Sequence, residues 1–315
     1  MPKKKTQQPK PTLKIPDLSK GEKVYLSYSK LNLFKDCPKQ FYFRYLREDI
    51  KEKPTVWPGN IAGRVFHKAI ETAINMKNDG TSDKLIIAEL DGKFQEWYEL
   101  EVEENKKFYK KSKEIAMNSK FFQQHDKMMK SVIKFILGYF YHQKNNIIIK
   151  PEKEYSIEWK WDKDIIVSGI VDLEIHEQID FEIFDYQIFD FKVTKDSTNF
   201  YYVEWDKAIQ KIMYEYFIWN THKKFPEAFT YLVFNREDKL LFFKESFRKE
   251  EIKQPEKYFA ELHEMLIEVK EYVLNPDDTL ANPEENKCRW CIYNKICDQK
   301  FQSKYIKAAK KRNKK

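Results

Sequence analysis

The stretch from Gln187 to Val193, with the sequence QIFDFKV, constrains the fold of this chain more than any other. Its side chains alternate, and residues two apart on a β-strand share a face, so the pattern predicts a strand. One face is wholly apolar, whereas the other carries Asp190 and Lys192 side by side. A partly buried charge is costly unless it is paired or bound to a metal. The stretch therefore predicts either a cross-strand ion pair or a functional site.

Length and composition restrict the classes of protein to which the chain can belong. Its 315 residues suit one large domain or two modest ones. Only 7 glycines and the lack of a G-x-x-x-x-G-K-[ST] motif disfavour a doubly wound nucleotide fold and a P-loop motor. The sequence has no apolar run of about 18 residues and no secretory signal. We therefore expect no membrane attachment and a cytoplasmic location, in the host cytoplasm if the chain is phage-encoded.

The net charge of +8 is concentrated at the two ends of the sequence. Residues 1–14 contain five lysines and no acid, and residues 304–315 contain six lysines and one arginine, again with no acid. These ends together carry +12, which leaves −4 for the rest of the chain. We interpret residues 1–22 and 304–315 as disordered basic tails, which either attract nucleic acid in a salt-sensitive way or only aid solubility.

The four cysteines are spaced in a way that is typical of a metal or iron–sulfur site. Cys288, Cys291 and Cys297 form a C-x2-C-x5-C motif, and Cys37 lies about 250 residues upstream. Disulfides are not expected without an export signal. Because an all-cysteine zinc site more often consists of two C-x2-C pairs, the spacing favours an iron–sulfur cluster. A zinc site and unliganded thiols stay open as alternatives.

Periodicity predicts the order of helices and strands. The predicted strands are Tyr155–Trp161, Ile165–Ile175, Tyr186–Thr194, Ala228–Asn235 and Leu240–Phe247, the first three as an antiparallel meander. The predicted helices begin after an N-cap at Ser29, at Lys39, at residue 63, at Leu85, at Phe121, at Trp205 and at residue 251. They include Leu85–Glu104, Phe121–Lys144 and Trp205–Thr221. In the last of these, Gln210 and Tyr214 are expected on a polar ridge apart from the apolar stripe. Residues 275–286 are expected to form the loop that delivers the cysteine triplet.

Polar residues recur in a fixed order along these elements. They are His67 on a helix, a G-x-x-D motif ending in Asp172, the D-x-K motif of Asp190 and Lys192, and Gln210-x3-Tyr214 on the next helix. This set resembles the PD-(D/E)xK nuclease superfamily, specifically its RecB-like exonuclease branch. Residues 28–45 resemble the opening segment of that branch. The cysteines resemble those of members with a 4Fe–4S cluster, the AddB nuclease domain and the CRISPR-associated exonucleases. Val171 departs from the proline in the superfamily's name.

The resemblance covers about residues 25–75 and 150–300, and it implies an α/β (α+β) fold. The expected core is a restriction-endonuclease-like αβββαβ arrangement in one nuclease domain over residues 23–303. Residues 80–149 would be a helical insertion, and residues 280–300 an iron–sulfur segment that staples the C-terminal part.

Chemistry and resemblance together assign roles to the site residues. His67, Asp172 and Asp190 are expected to bind Mg²⁺ or Mn²⁺, because hard divalent ions take oxygen ligands and a nitrogen makes Mn²⁺ attractive as well. The resemblance adds the backbone carbonyl of Phe191 as a ligand and gives Lys192 the attacking water. It further implies that Gln210 and Tyr214 orient Lys192 or contact DNA, and that Cys37, Cys288, Cys291 and Cys297 hold one 4Fe–4S cluster. Arg44 either faces a phosphate backbone or is an ordinary surface charge.

The function that these roles imply is a metal-dependent DNA exonuclease acting on single strands or DNA ends. Repair, recombination, replication and CRISPR adaptation are all open as pathways, and a helicase or a CRISPR or recombination protein is an expected partner. One alternative is a non-catalytic DNA-binding or scaffold subunit of a DNA-processing complex. Another is a zinc-stapled protein of unrelated function.

Overall fold

A computed structural model describes residues 12–50, 58–105, 119–141, 147–180, 183–194, 204–235, 240–246, 254–277 and 280–298. The chain divides into two compact units. The first unit comprises Met1–Pro54, Glu158–Ile166 and His263–Lys315, and the second comprises Thr55–Ile157 and Val167–Leu262. The basic tail expected at residues 304–315 lies outside the described residues, as does the part of the N-terminal tail before residue 12.

A mixed β-sheet with the strand order β1-β3-β4-β5-β6, in which β2 also pairs with β3, organises the fold. Its strands are β1 (Val24–Ser27), β2 (Ile147–Trp159), β3 (Asp162–Asp180), β4 (Ile183–Thr194), β5 (Ala228–Asn235) and β6 (Leu240–Ser246). Strands β3 and β4 are antiparallel, as the meander prediction requires, with Leu173 opposite Phe189. Strands β4 and β5 are parallel, with Gln187 opposite Ala228, and β5 and β6 are antiparallel.

Helices cover both faces of the sheet in the second unit. On one face, Phe189 and Phe191 of β4, each 2% exposed, join a core formed with helices α3 (Pro58–Asn78) and α6 (Ser119–Tyr141). The other face lies against the helix between the parallel strands β4 and β5, since parallel strands need a crossover connection. This helix, Glu204–His222, is the seventh α-helix among the described residues and is called α7 below.

The predicted helix Leu85–Glu104 is broken in the structure. It forms α4 (Asp83–Glu89) and α5 (Lys93–Glu104), because Gly92 between them has a φ of 74°, a left-handed conformation that ends a helix. Both helices contribute to the same core as α3 and α6, through Ile86 and Phe94. Much of the expected insertion is therefore packed onto the sheet core.

Aromatic packing and buried polar contacts hold the first unit together. It contains α1 (Tyr28–Asp36), α2 (Pro38–Phe41), a π-helical turn (Tyr42–Leu46), α10 (Glu285–Trp290) and most of α9 (Ala260–Leu274), which follows the short α8 (Pro255–Tyr258). The Tyr272 ring of α9 lies 5.0 Å from that of Phe34, edge to face. The Trp159 indole donates a 2.9 Å hydrogen bond to His263 Nδ1. Lys270 bridges Asp162 and Asp164, so the β2–β3 turn is tied to α9.

Several predicted boundaries near the two ends of the chain need correction. Helix α1 begins after Ser27 rather than Ser29. The long helix expected over residues 251–274 starts at Pro255 and breaks at Phe259, and the loop expected to run to Asn286 gives way to α10 at Glu285. Residues 12–22 are not a disordered tail: Leu13 pairs with Arg47, and the Lys14 backbone donates to the Leu46 carbonyl. Within the described ranges, no helix is long and apolar enough to cross a bilayer.

Candidate functional site

The structure brings His67 and Asp172 together from helix α3 and strand β3. His67 Nδ1 lies 3.6 Å from Asp172 Oδ1, with side chains 27% and 13% exposed. The backbone N–H of Phe191 on β4 donates a 2.7 Å hydrogen bond to Asp172 Oδ2. One carboxylate oxygen is therefore fixed by the neighbouring strand, while the other faces the imidazole.

Asp190 on β4 is a fully buried carboxylate with two polar neighbours. Its Oδ1 accepts a 2.9 Å hydrogen bond from Gln210 Nε2. Its Oδ2 contacts the Lys192 ammonium as an ion pair, although not in hydrogen-bonding geometry. The Lys192 side chain is 29% exposed, so the ammonium is open to solvent on one side and to the buried carboxylate on the other. We call His67, Asp172, Asp190 and Lys192 the carboxylate pocket.

Gln210 and Tyr214 extend this network along helix α7. Gln210 Nε2 also donates to the Tyr214 hydroxyl at 2.9 Å, so its amide joins Asp190 to Tyr214. Both residues are only 6% exposed, so this part of the expected polar ridge is buried. The polar side of this helix faces the sheet because the sheet offers a buried carboxylate there.

Gly169 allows helix α7 to lie close to strand β3. A Cβ at this position would lie 3.1 Å from Phe217 Cε2 and 3.5 Å from Tyr214 Cε1. The first distance is shorter than an ordinary carbon–carbon contact. The glycine of the G-x-x-D motif thus makes room for the helix that carries Gln210.

Burial and neighbouring charges shift the protonation of the pocket. Burial, and next the Asp190 carboxylate, raise the pKa of Asp172 well above its ordinary value. Burial lowers the pKa of His67, although the Asp190 carboxylate opposes that shift. Two acids share a poorly solvated pocket with an imidazole that stays neutral near pH 7. Such a donor set suits a divalent cation, because metal binding needs deprotonated ligands and its charge would compensate the carboxylates.

Sequence reasoning missed one acidic neighbour of this pocket. The carboxylate of Glu152 on β2 raises the pKa of Asp172 further. Burial, followed by Glu71 of α3, raises the pKa of Glu152 itself. Glu152 has a φ of 45°, which is rare for a residue other than glycine. The surrounding sequence KPEKE gave no signal, because charged residues at every second position there look like an exposed strand edge.

The four cysteines come together at one cavity in the first unit, which we call the cysteine cavity. Cys37, Cys288, Cys291 and Cys297 all line it, and none forms a disulfide. Burial, and then the neighbouring Cys37, Cys297 and Cys288 thiols, raise the pKa of Cys291. Lys39, only 3% exposed, lines the same cavity and pairs with Asp298 at 3.3 Å. A buried ammonium beside several thiols is a suitable neighbour for a negatively charged metal–thiolate group.

A third group of possible metal ligands is more tightly spaced than the carboxylate pocket or the cysteine cavity. Among the described residues, a set of three possible ligand atoms within 4.8 Å of one another occurs at Glu174, His176 and His222. Neither the cysteines nor the three predicted ligands of the carboxylate pocket form so tight a set. In the pocket, Asp190 is turned towards Gln210 and Lys192.

The structure places Arg44 in the first unit, on the surface. Its guanidinium lies 5.3 Å from the centre of the Tyr45 ring, an ordinary cation–π contact. A role in DNA binding stays a prediction for this residue.

Comparison with known proteins identifies the family of this chain. The family model of the PD-(D/E)XK nuclease superfamily matches residues 25–298. The chain therefore belongs to the PD-(D/E)XK nuclease superfamily. The match and the mixed sheet confirm the predicted α/β class with a restriction-endonuclease-like core.

Two solved structures are similar to the chain at low sequence identity. SSO0001 is 10% identical, with 87% of this chain and 97% of that chain covered and a TM-score of 0.32. A Eubacterium rectale protein named "Putative exonuclease" is 13% identical, with coverages of 90% and 92% and a TM-score of 0.48. Among curated proteins, no sequence matches.

Proposed function

We propose that this chain is a Mg²⁺- or Mn²⁺-dependent DNA exonuclease of the RecB-like branch that hydrolyses phosphodiester bonds in single strands or at DNA ends. The observation that carries the proposal is the meeting of His67, Asp172, Asp190 and Lys192 at one pocket, in a chain of a nuclease superfamily. The proposed setting is DNA repair, recombination, replication or CRISPR adaptation in the cytoplasm, beside a helicase or another DNA-processing protein.

The chemistry of the donors supports a divalent ion held by His67, Asp172, Asp190 and the backbone carbonyl of Phe191. Asp190 Oδ2 is buried without a hydrogen bond, and the pKa of Asp172 is raised, so the pocket favours an additional positive charge. A bound ion of this kind polarises a phosphoryl oxygen and lowers the pKa of a water molecule.

The chain's own residues position the reactants around that ion. The Lys192 ammonium, fixed by Asp190 and open to solvent, is suited to hold the attacking water and to offset charge that develops on the phosphate. Gln210 holds Asp190 by its Oδ1 atom and is itself held near the Tyr214 hydroxyl. The lowered pKa of His67 keeps its imidazole neutral, as a ligand must be.

A 4Fe–4S cluster held by Cys37, Cys288, Cys291 and Cys297 is the second part of the proposal. The four cysteines line one cavity, which supports a shared metal centre, and their C-x2-C-x5-C spacing with one distant cysteine favours a cluster over a zinc ion. The buried Lys39 beside them would offset part of the negative charge of thiolate ligands. Such a cluster would tie the start of helix α2 to the segment that follows α10.

Digestion of a matched set of DNA substrates tests the catalytic part. End-labelled linear and circular DNA, each single- and double-stranded, would be incubated with Mg²⁺, Mn²⁺ or a chelator. We expect metal-dependent shortening of linear single strands from an end and little cutting of circles. The Asp190→Asn variant should be inactive, and Asp79→Asn, an exposed carboxylate on the same unit, should match the parent.

Two outcomes would contradict the proposal. Equal cleavage rates for the parent and Asp190→Asn would show that the carboxylate pocket has no catalytic role. DNA binding by the parent without cleavage under any metal condition would instead indicate a non-catalytic subunit. Circular dichroism of each variant establishes whether lost activity reflects chemistry rather than unfolding.

A further inference from the structure

Beyond the carboxylate pocket, strand β3 carries two more side chains of types that can bind a metal ion. Glu174 and His176 follow Asp172 at two-residue intervals, so all three lie on one face of the strand. His222, the last residue of helix α7, approaches the same point from above that face. One ligand atom from each of Glu174, His176 and His222 lies within 4.8 Å of the others.

The geometry of this group directs two imidazole nitrogens at one carboxylate oxygen, one of them beyond hydrogen-bonding distance. The Nε2 atoms of both imidazoles face the same oxygen, Glu174 Oε1, with His176 in close contact and His222 at 3.7 Å. The longer distance exceeds that of a hydrogen bond. It is close to the roughly 3.3–3.4 Å between two ligands of a tetrahedral zinc ion with bonds of about 2.0–2.1 Å.

Surrounding residues hold the three ligands in place. The Tyr155 hydroxyl donates a 2.5 Å hydrogen bond to the other Glu174 oxygen, Oε2, leaving Oε1 towards the histidines. The Tyr186 ring stacks on His222 at 4.3 Å and meets His176 edge to face at 4.7 Å. Hydrogen bonds and packing of this kind orient the ligands of metal sites.

Burial gives the group a closed interior and a path to solvent. Glu174 and His176 are 1% and 5% exposed, whereas the His222 side chain is 24% exposed. Burial opposes the ionisation of Glu174, but its contacts with His176 and Tyr155, and after them the charge of Lys150 on β2, lower its pKa. The charge of Lys150 and the contact with His176 do not explain why the His222 imidazole is also directed at Glu174 Oε1.

We propose that Glu174, His176 and His222 form a separate site for Zn²⁺, with a fourth position left to water. Two imidazoles and one carboxylate suit zinc and disfavour Mg²⁺, which takes oxygen ligands and keeps several waters. The site joins the C-terminal end of helix α7 to strand β3. Because α7 also carries Gln210 and Tyr214, we assign the ion a structural role in seating that helix.

Zinc titration in competition with a chromophoric chelator tests this site. The parent and the His222→Gln variant share the cysteines and the carboxylate pocket, so their difference isolates the proposed site. Glutamine keeps a polar group of similar reach, so a hydrogen-bonding role would tolerate the change better. We expect His222→Gln to bind one equivalent of zinc fewer than the parent. The matched control His263→Gln, a histidine of the first unit, should bind as much as the parent.

Two further measurements keep the test decisive if His222→Gln folds poorly. Tyr155→Phe removes only the supporting hydroxyl, and we expect the parent's zinc count with a Kd raised roughly 10–100-fold at one site. Crystals of the parent grown with Zn²⁺ should show an anomalous peak at the zinc edge between Glu174, His176 and His222. No peak there, or unchanged stoichiometry and Kd in a folded His222→Gln variant, would overturn the proposal.

Discussion

The carboxylate pocket and the cysteine cavity gather their ligands in opposite ways. Asp172 and Asp190 lie on two antiparallel strands that are adjacent in sequence, and a main-chain N–H and the Gln210 amide already hold them. Cys37 lies 251 positions before Cys288. It sits between α1 and α2, whereas the other three cysteines lie within or just beyond the short α10.

This difference predicts which site depends on its metal for its shape. The pocket is built by sheet pairing and buried hydrogen bonds that exist without an ion. The cavity instead joins distant pieces of chain, and such closure becomes conditional on the metal when ligand bonds provide it. We therefore expect damage to the pocket to remove activity, and damage to the cavity to reduce stability.

The largest expected effect is on catalysis, from Lys192→Ala. Loss of the ammonium should lower kcat about 10²–10³-fold, as for other groups that stabilise transition-state charge. Single-turnover digestion of labelled single-stranded DNA measures this, with the exposed Lys224→Ala as control. The change also leaves the buried Asp190 carboxylate without its ion pair, which can destabilise the fold. The double variant Asp190→Asn/Lys192→Met replaces both charges with neutral groups and serves as a folding control, measured by thermal unfolding. Parental rates in Lys192→Ala would exclude this lysine from the chemistry.

The next largest effect is on folding, from Cys291→Ser. Structural zinc sites in zinc-finger peptides bind with about 10–16 kcal/mol, and a quarter of that, about 2.5–4 kcal/mol, is the loss in free energy of unfolding that we expect for one of four ligands. Visible absorption of the purified protein should fall in parallel. Denaturant unfolding is the measurement, and Asn282→Ala, on the same cavity wall but without a thiol, is the control. If the purified parent is colourless and contains zinc, the cysteines bind a zinc ion and the iron–sulfur proposal is wrong.

A smaller effect concerns the pH dependence of stability without metal. Since the pKa of Asp172 is raised by folding, the folded state opposes its ionisation. Between the ordinary pKa of 3.8 and the folded pKa, Asp172 ionises only in the unfolded state. The free energy of unfolding of the metal-free parent therefore falls as pH rises through this range. In chelator, Asp172→Asn should therefore gain stability relative to the parent as pH rises through that range. Thermal unfolding from pH 4 to 7 tests this, and a constant difference would contradict it.

The smallest expected effect follows Tyr214→Phe. The change removes one acceptor of the Gln210 amide but leaves its hydrogen bond to Asp190. A typical hydrogen bond contributes about 1 kcal/mol, so kcat/KM should fall only about 5-fold. Gln210→Leu, which removes both bonds, should fall further. Equal losses in both variants would mean that Tyr214 contacts DNA rather than supporting Gln210.

Local sequence patterns predicted the parts of the fold that short-range physics decides. The alternation in β4 and β5 predicted both strands. The helix start predicted at Lys39 lies one residue from the observed start of α2 at Pro38, since proline suits the first turn of a helix. The split at Gly92 was missed because a glycine within an apolar periodic segment does not reveal its φ angle. Periodicity alone set Gln210 apart from the apolar stripe of its helix, and only the family resemblance gave it a role beside Lys192, because periodicity does not show which surface a polar ridge faces.

The Glu174 group was partly visible in the sequence. The run DLEIH alternates acid, acid and histidine at every second residue, which indicates three polar side chains on one strand face. His222 could not be added from sequence, since its position depends on where helix α7 ends above the sheet. The position of Glu152 likewise could not be predicted, because this residue has a positive φ angle that the local sequence does not indicate.

Gly169 limits how this protein can vary. A Cβ at that position would lie 3.1 Å from the Phe217 ring, so the ring or helix α7 has to give way by a few tenths of an ångström to accommodate it. If the helix moves, it carries the Gln210 amide away from Asp190. A mutational scan should therefore find position 169 sensitive in activity selections, and revertants should map to smaller residues at position 217.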